Sequence, residues 1–133
     1  MQTDNIADML IRIKNAQSRN KTEVEVPYSK MNESIANVIK SKGCLEDVSV
    51  FKPKGKSFKM LSLSIKYDNS GRPAISRIER VSKSGLRVYT SADDIKMVSG
   101  GLGFYVISTS RGILASDEAR KKKLGGELVC KVN

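Results

Sequence analysis

The stretch DNSGRP, residues 68–73, decides the organisation of the chain, because turn-forming residues surround its single arginine. Asp, Asn, Ser, Gly and Pro each favour turns for a different physical reason, and such a cluster between two patterned regions is typical of a linker. Helical patterns lie mainly before it and strand patterns mainly after it. The sequence therefore predicts an α+β fold of two lobes, residues 1–70 and 71–133, with the first lobe packed on the second.

The N-terminal lobe is predicted to contain two helices on a short sheet. Apolar residues recur at helical spacing over residues 4–18 and 29–41. Strands are predicted at residues 24–27, 45–51 and 58–66, and in the last of these the apolar residues alternate with polar ones. The lobe is therefore expected to be of the α/β type.

Both helices of this lobe carry start signals. Asp4 and Ser29 stand where a side-chain oxygen would accept hydrogen bonds from the first free N–H groups. Gly43 is typical of the residue that follows a helix C-terminus. The residues of the second helix expected to face the core are Met31, Ile35, Val38 and Ile39.

The C-terminal lobe is predicted to be mainly β. Its strands are expected within residues 75–81, 86–89, 104–107 and 127–132. Ser116 is predicted to cap a short helix, because acidic residues follow at once and three lysines stand at the other end of that helix.

The charge of the chain indicates its class of partner. Lys and Arg number 24 and Asp and Glu 14, a formal net charge of +10. The surplus is spread over both lobes and includes the basic hairpin loop Lys52–Lys56. The natural partner of such a chain is a polyanion. Charge alone leaves nucleic-acid binding and a merely solvated basic surface equally open, with an anionic membrane surface less favoured.

Catalysis is poorly supported. The chain has no histidine for acid–base work near neutral pH. The acidic pairs at 93–94 and 117–118 stand at predicted helix starts, where capping explains them. The glycine run Gly100–Gly103 precedes a strand, whereas phosphate-binding glycine loops precede a helix. No enzyme activity is expected, and the glycines are interpreted as a tight turn.

No cofactor or metal is expected either. Cys44 and Cys130 are far apart, and without histidine they cannot complete a zinc site. Two thiols in apolar contexts favour small buried side chains in a reduced, cytoplasmic setting. The chain shows neither a secretory signal nor an apolar run near the ~20 residues of a membrane span.

The aromatic residues and one turn suggest how RNA would be bound. Seven aromatics are present, and no strand carries the cluster on which single-stranded bases stack. Folded RNA is therefore favoured over single strands. The turn Ser108–Gly112 offers three successive hydroxyl groups, which suit the wide RNA minor groove. Chemistry alone still favours an ordinary polar turn here, with groove binding as the alternative.

Five blocks of sequence resemble one family. They are DNIADMLIRIKNA (4–16), VPYSKMNESIANVIKSKG (26–43), GRPAISRIERVSKSGLRVY (71–89), GGLGFYVISTSRG (100–112) and DEARKKKLGGELVCKV (117–132). In order and spacing they resemble bacterial small-subunit ribosomal protein eight over essentially the whole chain.

The resemblance implies a structural, cytoplasmic protein of the small ribosomal subunit. Its expected partners are a helix of the rRNA central domain, neighbouring ribosomal proteins and, through an rRNA-like site, the mRNA of its own operon. The C-terminal RNA-contact residues that it implies are Ser108, Thr109, Ser110, Arg111, Gly126, Glu127, Arg87 and Tyr89. The N-terminal backbone contacts that it implies are Asp4, Arg12, Asn15, Lys30 and Lys56.

One side chain carries a hypothesis of its own. A carboxylate near RNA is electrostatically unfavourable unless something holds it, so Glu127 is expected to orient the Ser108–Ser110 hydroxyls or to accept a base donor. Three rivals to rRNA binding remain: a regulator acting only on mRNA, a phosphate-ester enzyme using Gly100–Gly103, and a generic DNA-coating protein.

Overall fold

The computed structural model describes residues 4–98 and 102–133. Within these residues, three α-helices, one 3-10 helix and two sheets confirm the predicted α+β class. Backbone contacts group the chain into two compact units, Met1–Ala74 and Ile75–Asn133. The assignment of 1–70 and 71–133 as domains stays a prediction.

The first unit consists of two helices and a three-stranded antiparallel sheet. Its elements are α1 (Asn5–Ser18), β1 (Glu23–Pro27), α2 (Lys30–Ser41), β2 (Leu45–Phe51) and β3 (Met60–Ile65). The strand order is β1-β3-β2. This is the predicted arrangement of two helices on a short sheet.

The core of the first unit lies between the helices and one face of the sheet. Leu61, Leu63 and Ile65 of the central strand are buried and alternate with half-buried polar neighbours, as period-2 side chains must. The predicted caps are confirmed: Asp4 accepts from the Ile6 and Ala7 N–H groups at 3.1 Å, and Ser29 accepts from that of Asn32 at 3.0 Å.

The inward face of α2 differs from the prediction at one position. Met31 is 40% exposed, whereas its neighbour Asn32 is fully buried. Asn32 shares the helix face of Ile35 and Ile39, and its amide donates to the backbone oxygens of Asn5 and Pro27 at 3.3 and 3.4 Å. A polar residue therefore occupies the position expected of Met31, because it ties α2 to the preceding elements.

The hairpin between β2 and β3 is longer than predicted. The last strand of the unit begins at Met60 rather than at residue 58, so residues 52–59 form one exposed loop. Phe58 therefore lies outside the strand and is 53% exposed.

The second unit contains a five-stranded antiparallel sheet and one short helix. Its strands run in the order β4-β8-β6-β7, and β5 pairs with β8. The elements are β4 (Ile78–Arg80), β5 (Tyr89–Thr90), a 3-10 turn (Ala92–Asp94), β6 (Phe104–Thr109), β7 (Gly112–Ala115), α3 (Ser116–Lys121) and β8 (Gly126–Val132). Ile95, Ile107 and Ala119 form a buried cluster between α3 and the sheet.

Ser116 does not cap α3, contrary to the prediction. Ala115 holds the N-cap position and makes no side-chain cap. Ser116 is the first helical residue, is 5% exposed, and accepts a hydrogen bond from the Tyr105 N–H at 3.1 Å. Its hydroxyl therefore satisfies a strand donor that has reached the end of the ladder.

The strand predicted at residues 86–89 is reduced to Tyr89–Thr90. The fully buried Ser82 is the reason. Its hydroxyl donates to the Val88 oxygen at 3.2 Å and accepts from the Val88 N–H at 2.9 Å. This side chain fastens residues 82–88 as a closed loop, a use of serine that competes with strand pairing.

Gly100 and Gly101 of the predicted glycine turn lie outside the described residues. Gly103 packs so closely on Val98 and on the C-terminal residue Asn133 that no side chain would fit. None of the described helices is long and apolar enough to span a membrane.

Candidate nucleic-acid interface

The candidate interface centres on the hairpin between β6 and β7. Pairing continues as far as Thr109 with Gly112, so only Ser110 and Arg111 form the loop. The predicted five-residue turn is therefore shorter, and Ser108 and Thr109 belong to the strand. Gly112 has a φ of +108°, a backbone conformation that favours glycine.

The three hydroxyl groups of this hairpin are used differently. Thr109 donates to the Gly112 oxygen at 2.8 Å and accepts from the Arg111 N–H at 3.1 Å, so its hydroxyl closes the loop. The Ser108 and Ser110 hydroxyls make no hydrogen bond to any other described residue. Two of the three hydroxyls are therefore available to a partner.

Strand alternation also separates these side chains. Ser108 follows Ile107, whose side chain packs toward α3, so Ser108 lies on the opposite face of the sheet. Thr109 returns to the face of Ile107. The structure therefore does not bring the three hydroxyls onto one face; it leaves Ser110 exposed at the tip, with Ser108 half-buried beside it.

Ser108 belongs to a row of side chains that crosses three strands. It pairs directly with Glu127 of β8, and Glu127 pairs with Tyr89 of β5. Directly paired residues project to the same face, with neighbouring Cβ atoms about 5 Å apart. Tyr89 is 68% exposed. The sheet thus gathers Ser108, Glu127 and Tyr89 from distant parts of the sequence.

Glu127 is held by an arginine. Its Oε2 lies 2.9 Å from the Arg87 guanidinium, and the two side chains are 22% and 49% exposed. The expectation that Glu127 orients the serine hydroxyls finds no such contact in the structure. Because the pair is partly exposed, it contributes about 0–1 kcal/mol to stability. Its main effect is to fix Arg87 beside the row.

Two glycines allow this close arrangement. A Cβ atom added to Gly126 would overlap the Ser108 carbonyl, and one added to Gly125 would overlap that of Thr90. Neither glycine has a positive φ, so space rather than conformation requires them. The start of β8 therefore lies directly against the strand end that carries Ser108. The pair GG after α3 was the sequence signal for Gly125, which the sequence analysis did not include.

The N-terminal site residues do not form one cluster. Asp4 is occupied as the cap of α1, while Lys30 begins α2 and Lys56 lies at the β2–β3 loop. The Arg12 guanidinium donates to the Asp8 carboxylate and to the backbone oxygen of Glu25, each at 3.0 Å. The structure brings Arg12 and Asn15 together in one shallow pocket, whose other lining residues are Ala16, Arg19, Lys21 and Val24. Arg19 and Lys21 were not predicted as site residues, although Arg19 is the C-cap of α1, four positions after Asn15; only the turn of the chain after α1 brings Lys21 to the same pocket.

The groups of catalytic interest are accounted for structurally. Both acidic pairs lie in the first turn of a helix. The hydroxyl of Ser91 donates to Asp94 at 2.9 Å, and Lys122 pairs with Glu118 at 3.3 Å. Burial raises the pKa of the Cys130 thiol to about 12 and also raises that of Cys44. No metal-binding cluster of acidic or cysteine side chains occurs among residues 4–98 and 102–133.

Fold and site together define a basic α+β protein whose candidate interface is a hydroxyl-bearing sheet end rather than a pocket of reactive groups. Residues 4–133 match the family described as Ribosomal protein S8, and the chain belongs to this family. A small ribosomal subunit protein uS8 from Persephonella marina is 50% identical over 99% of both chains. Proteins of the same name from Pelagibacter ubique (45% identical; 98% of this chain, 97% of the relative) and Chloroflexus aurantiacus (46%; 97% and 96%) are also similar.

Proposed function

We propose that this protein is a non-catalytic, structural component of the small ribosomal subunit that binds a helix of the rRNA central domain. The relatives that it matches over nearly their full length carry the name small ribosomal subunit protein. In this role it supports subunit assembly and touches neighbouring ribosomal proteins as well as RNA.

The observation that carries the proposal is the unequal use of the hairpin hydroxyls. The Thr109 hydroxyl makes its hydrogen bonds within the hairpin, whereas the Ser108 and Ser110 hydroxyls remain available to a partner. A hydroxyl both donates and accepts, as do the 2′-hydroxyls of the RNA minor groove. A rigid tip with free hydroxyls therefore suits recognition of one RNA shape.

Charge and shape are divided in this proposal. The net charge of +10 supplies attraction to phosphate that is blind to sequence and falls with salt. The uncharged serines, with Tyr89 and the Arg87–Glu127 pair beside them, supply discrimination.

Footprinting of small-subunit rRNA, with and without the protein, tests the proposal. Wild type should protect one helix of the central domain, and Ser110→Ala should lose that protection. Ser70→Ala removes an equally exposed serine from the first unit and should protect as wild type does. An rRNA pattern unchanged by the wild-type protein would refute the proposal.

The same surface would also serve the second role, repression of the protein's own operon. A messenger that folds like the rRNA site would present the same groove to Ser108 and Ser110. The expected result is competition: the operon transcript displaces the rRNA fragment from wild type, and Ser110→Ala weakens both. A transcript that binds while the rRNA fragment stays bound would rule this out.

A further inference from the structure

We propose that the loop between β2 and β3, residues 52–59, together with Tyr28 and Phe51, is a second RNA site that takes an unpaired, single-stranded segment by stacking and phosphate contact. The proposal rests on the proposed RNA binding and adds single-strand stacking to a loop that holds Lys56, one of the implied backbone contacts. We name residues 52–59 the lysine loop.

The lysine loop concentrates positive charge without internal compensation. Four of its eight residues are lysines, and residues 51–60 contain no acidic side chain. The four lysines are exposed and form no ion pair with any described residue. Elsewhere the basic side chains of Arg12, Lys40, Arg87 and Lys122 are paired with carboxylates. The loop's charge is therefore free to meet phosphate.

The loop also has a defined shape. The Lys56 N–H donates to the Pro53 oxygen at 3.0 Å, and Gly55 has a φ of +79°. A positive φ at the third position is that of a type II turn, which glycine adopts without strain. Lys54 therefore lies at a tight turn, with Lys52 and Lys56 on either side of it.

Aromatic side chains collect at the same end of the sheet. Pro27, Met60 and Phe51 pair across the three strands in one row. Tyr28 follows Pro27 of that row, and its N–H donates to the backbone oxygen of Lys59 at 3.4 Å. Phe58 stands immediately before Lys59 in the sequence. Three of the chain's seven aromatic residues, Tyr28, Phe51 and Phe58, therefore lie at this end of the sheet, although no single stretch of sequence shows the grouping.

Two details favour stacking by Phe58 in particular. It is 53% exposed, a large apolar side chain in a loop that is otherwise polar. Lys59, its neighbour, already places its ammonium 5.4 Å from the Tyr28 ring centroid, a cation–π geometry. A cationic surface that also exposes an aromatic ring, as this loop exposes Phe58, is an arrangement by which proteins hold single strands. Within a duplex the bases stack on one another, so only the two terminal base pairs offer a face to Phe58.

The two RNA sites would therefore read different states of the RNA. The sheet end of the second unit would contact an RNA helix, and the lysine loop would contact an unpaired RNA segment outside the helix. The aromatic residues of the chain as a whole disfavour single-strand stacking, and the proposal confines such stacking to the lysine loop.

The test compares full-length variants for binding to short oligouridine and to a blunt RNA duplex of the same length. Phe58→Ala should weaken oligouridine binding about tenfold, the loss of one base stack, and leave duplex binding unchanged. Phe58→Tyr keeps a ring and should bind as wild type. The matched control is Ile11→Ala, since Ile11 is 56% exposed in the same unit.

A second variant tests the charge. The triple change Lys52→Ala, Lys54→Ala and Lys56→Ala should lower the salt slope of oligouridine binding by about two. If Phe58→Ala binds oligouridine as tightly as wild type, or loses duplex binding equally, the stacking proposal is wrong. The same holds if Phe58→Ala loses binding to phosphatidylserine vesicles while keeping that to oligouridine. Phe58→Ala should leave protection of the central-domain rRNA helix, which depends on Ser110, unchanged, so the two proposals fail separately.

Discussion

Two β-hairpin tips of the described residues, that between β2 and β3 and that between β6 and β7, differ in length, charge and closure. The β2–β3 tip is the long lysine loop, with unpaired charges and an exposed phenylalanine. The β6–β7 tip has two loop residues, closed by the hydroxyl of Thr109 and backed by Gly126. The first offers reach and four lysines, and the second offers a fixed shape with a single exposed arginine, Arg111.

The difference supports the proposal that the two tips contribute differently to RNA binding. Lysine ammonium groups on flexible stems follow any phosphate, so they add affinity without choice. A two-residue loop held by internal hydrogen bonds presents Ser110 in one geometry at the end of the strand that carries Ser108. The proposed division of labour follows, and each prediction below would break or sharpen it.

The largest effect is expected at Gly126. Gly126→Ala forces a Cβ into the Ser108 carbonyl, so the free energy of unfolding should fall by about 2–3 kcal/mol and the hairpin should move. Thermal unfolding and binding to the central-domain helix measure the two effects. Gly85→Ala is the control: its Cβ meets nothing within 4 Å, and the change should stay within about 0.5 kcal/mol. Equal stability of the two variants would show that the close approach is unimportant.

The next effect separates closing the hairpin from contacting RNA. Thr109→Val keeps the shape of the side chain but removes its two hydrogen bonds, which should cost about 1 kcal/mol of unfolding free energy. Ser110→Ala should leave stability unchanged. Both should lower the preference for cognate over mismatched RNA. A Ser110→Ala protein with unchanged preference would remove that serine from the interface.

A smaller effect is expected from the ion pair beside the hairpin. Glu127→Gln releases Arg87, and unfolding free energy should change by less than about 1 kcal/mol because the pair is partly exposed. RNA discrimination should nevertheless fall, since Arg87 loses its fixed position. A double-mutant cycle with Arg87→Gln measures the coupling. If Glu127→Gln binds RNA as tightly and as selectively as wild type, the positioning role is wrong.

The smallest effect belongs to a single lysine of the other tip. Lys56→Ala should weaken binding to all RNAs alike and reduce the salt slope by about one, with cognate preference kept. Lys122→Ala is the matched control, because Lys122 is already paired with Glu118 at 3.3 Å. Should Lys56→Ala instead change cognate preference, the two tips would not divide charge from shape.

The parts of the fold that sequence predicted correctly depend on neighbours along the chain. Asp4 and Ser29 cap helices whose N–H groups lie two or three residues away, and the alternation of Leu61 and Leu63 is a local pattern. Such signals need no knowledge of the tertiary structure, so helix starts and the central strand were predicted well.

The errors occurred where a distant partner decided the outcome. Ser116 binds Tyr105 across the sheet, and Asn32 binds Asn5, 27 positions earlier. Strand propensity over residues 86–89 was overridden by one buried side chain, Ser82. None of these contacts follows from periodicity, because each joins residues that only the folded chain brings together.

The candidate site shows the same limit. The hydroxyl-rich stretch 108–110 is visible in the sequence, and its strand neighbours Glu127 and Tyr89 follow from the resemblance. That Thr109 would be used internally, and that Glu127 would meet Arg87 rather than a serine, required the register of β5, β6 and β8.

The hydrogen bonds of Thr109 have a consequence for the timing of binding. A loop already fixed before the encounter has little conformational entropy to lose when RNA arrives, so more of its contact energy remains in the complex. Such a gain lengthens the residence time rather than the rate of encounter. If the lysines set the association rate and the closed hairpin sets the dissociation rate, the complex would form quickly and dissociate slowly.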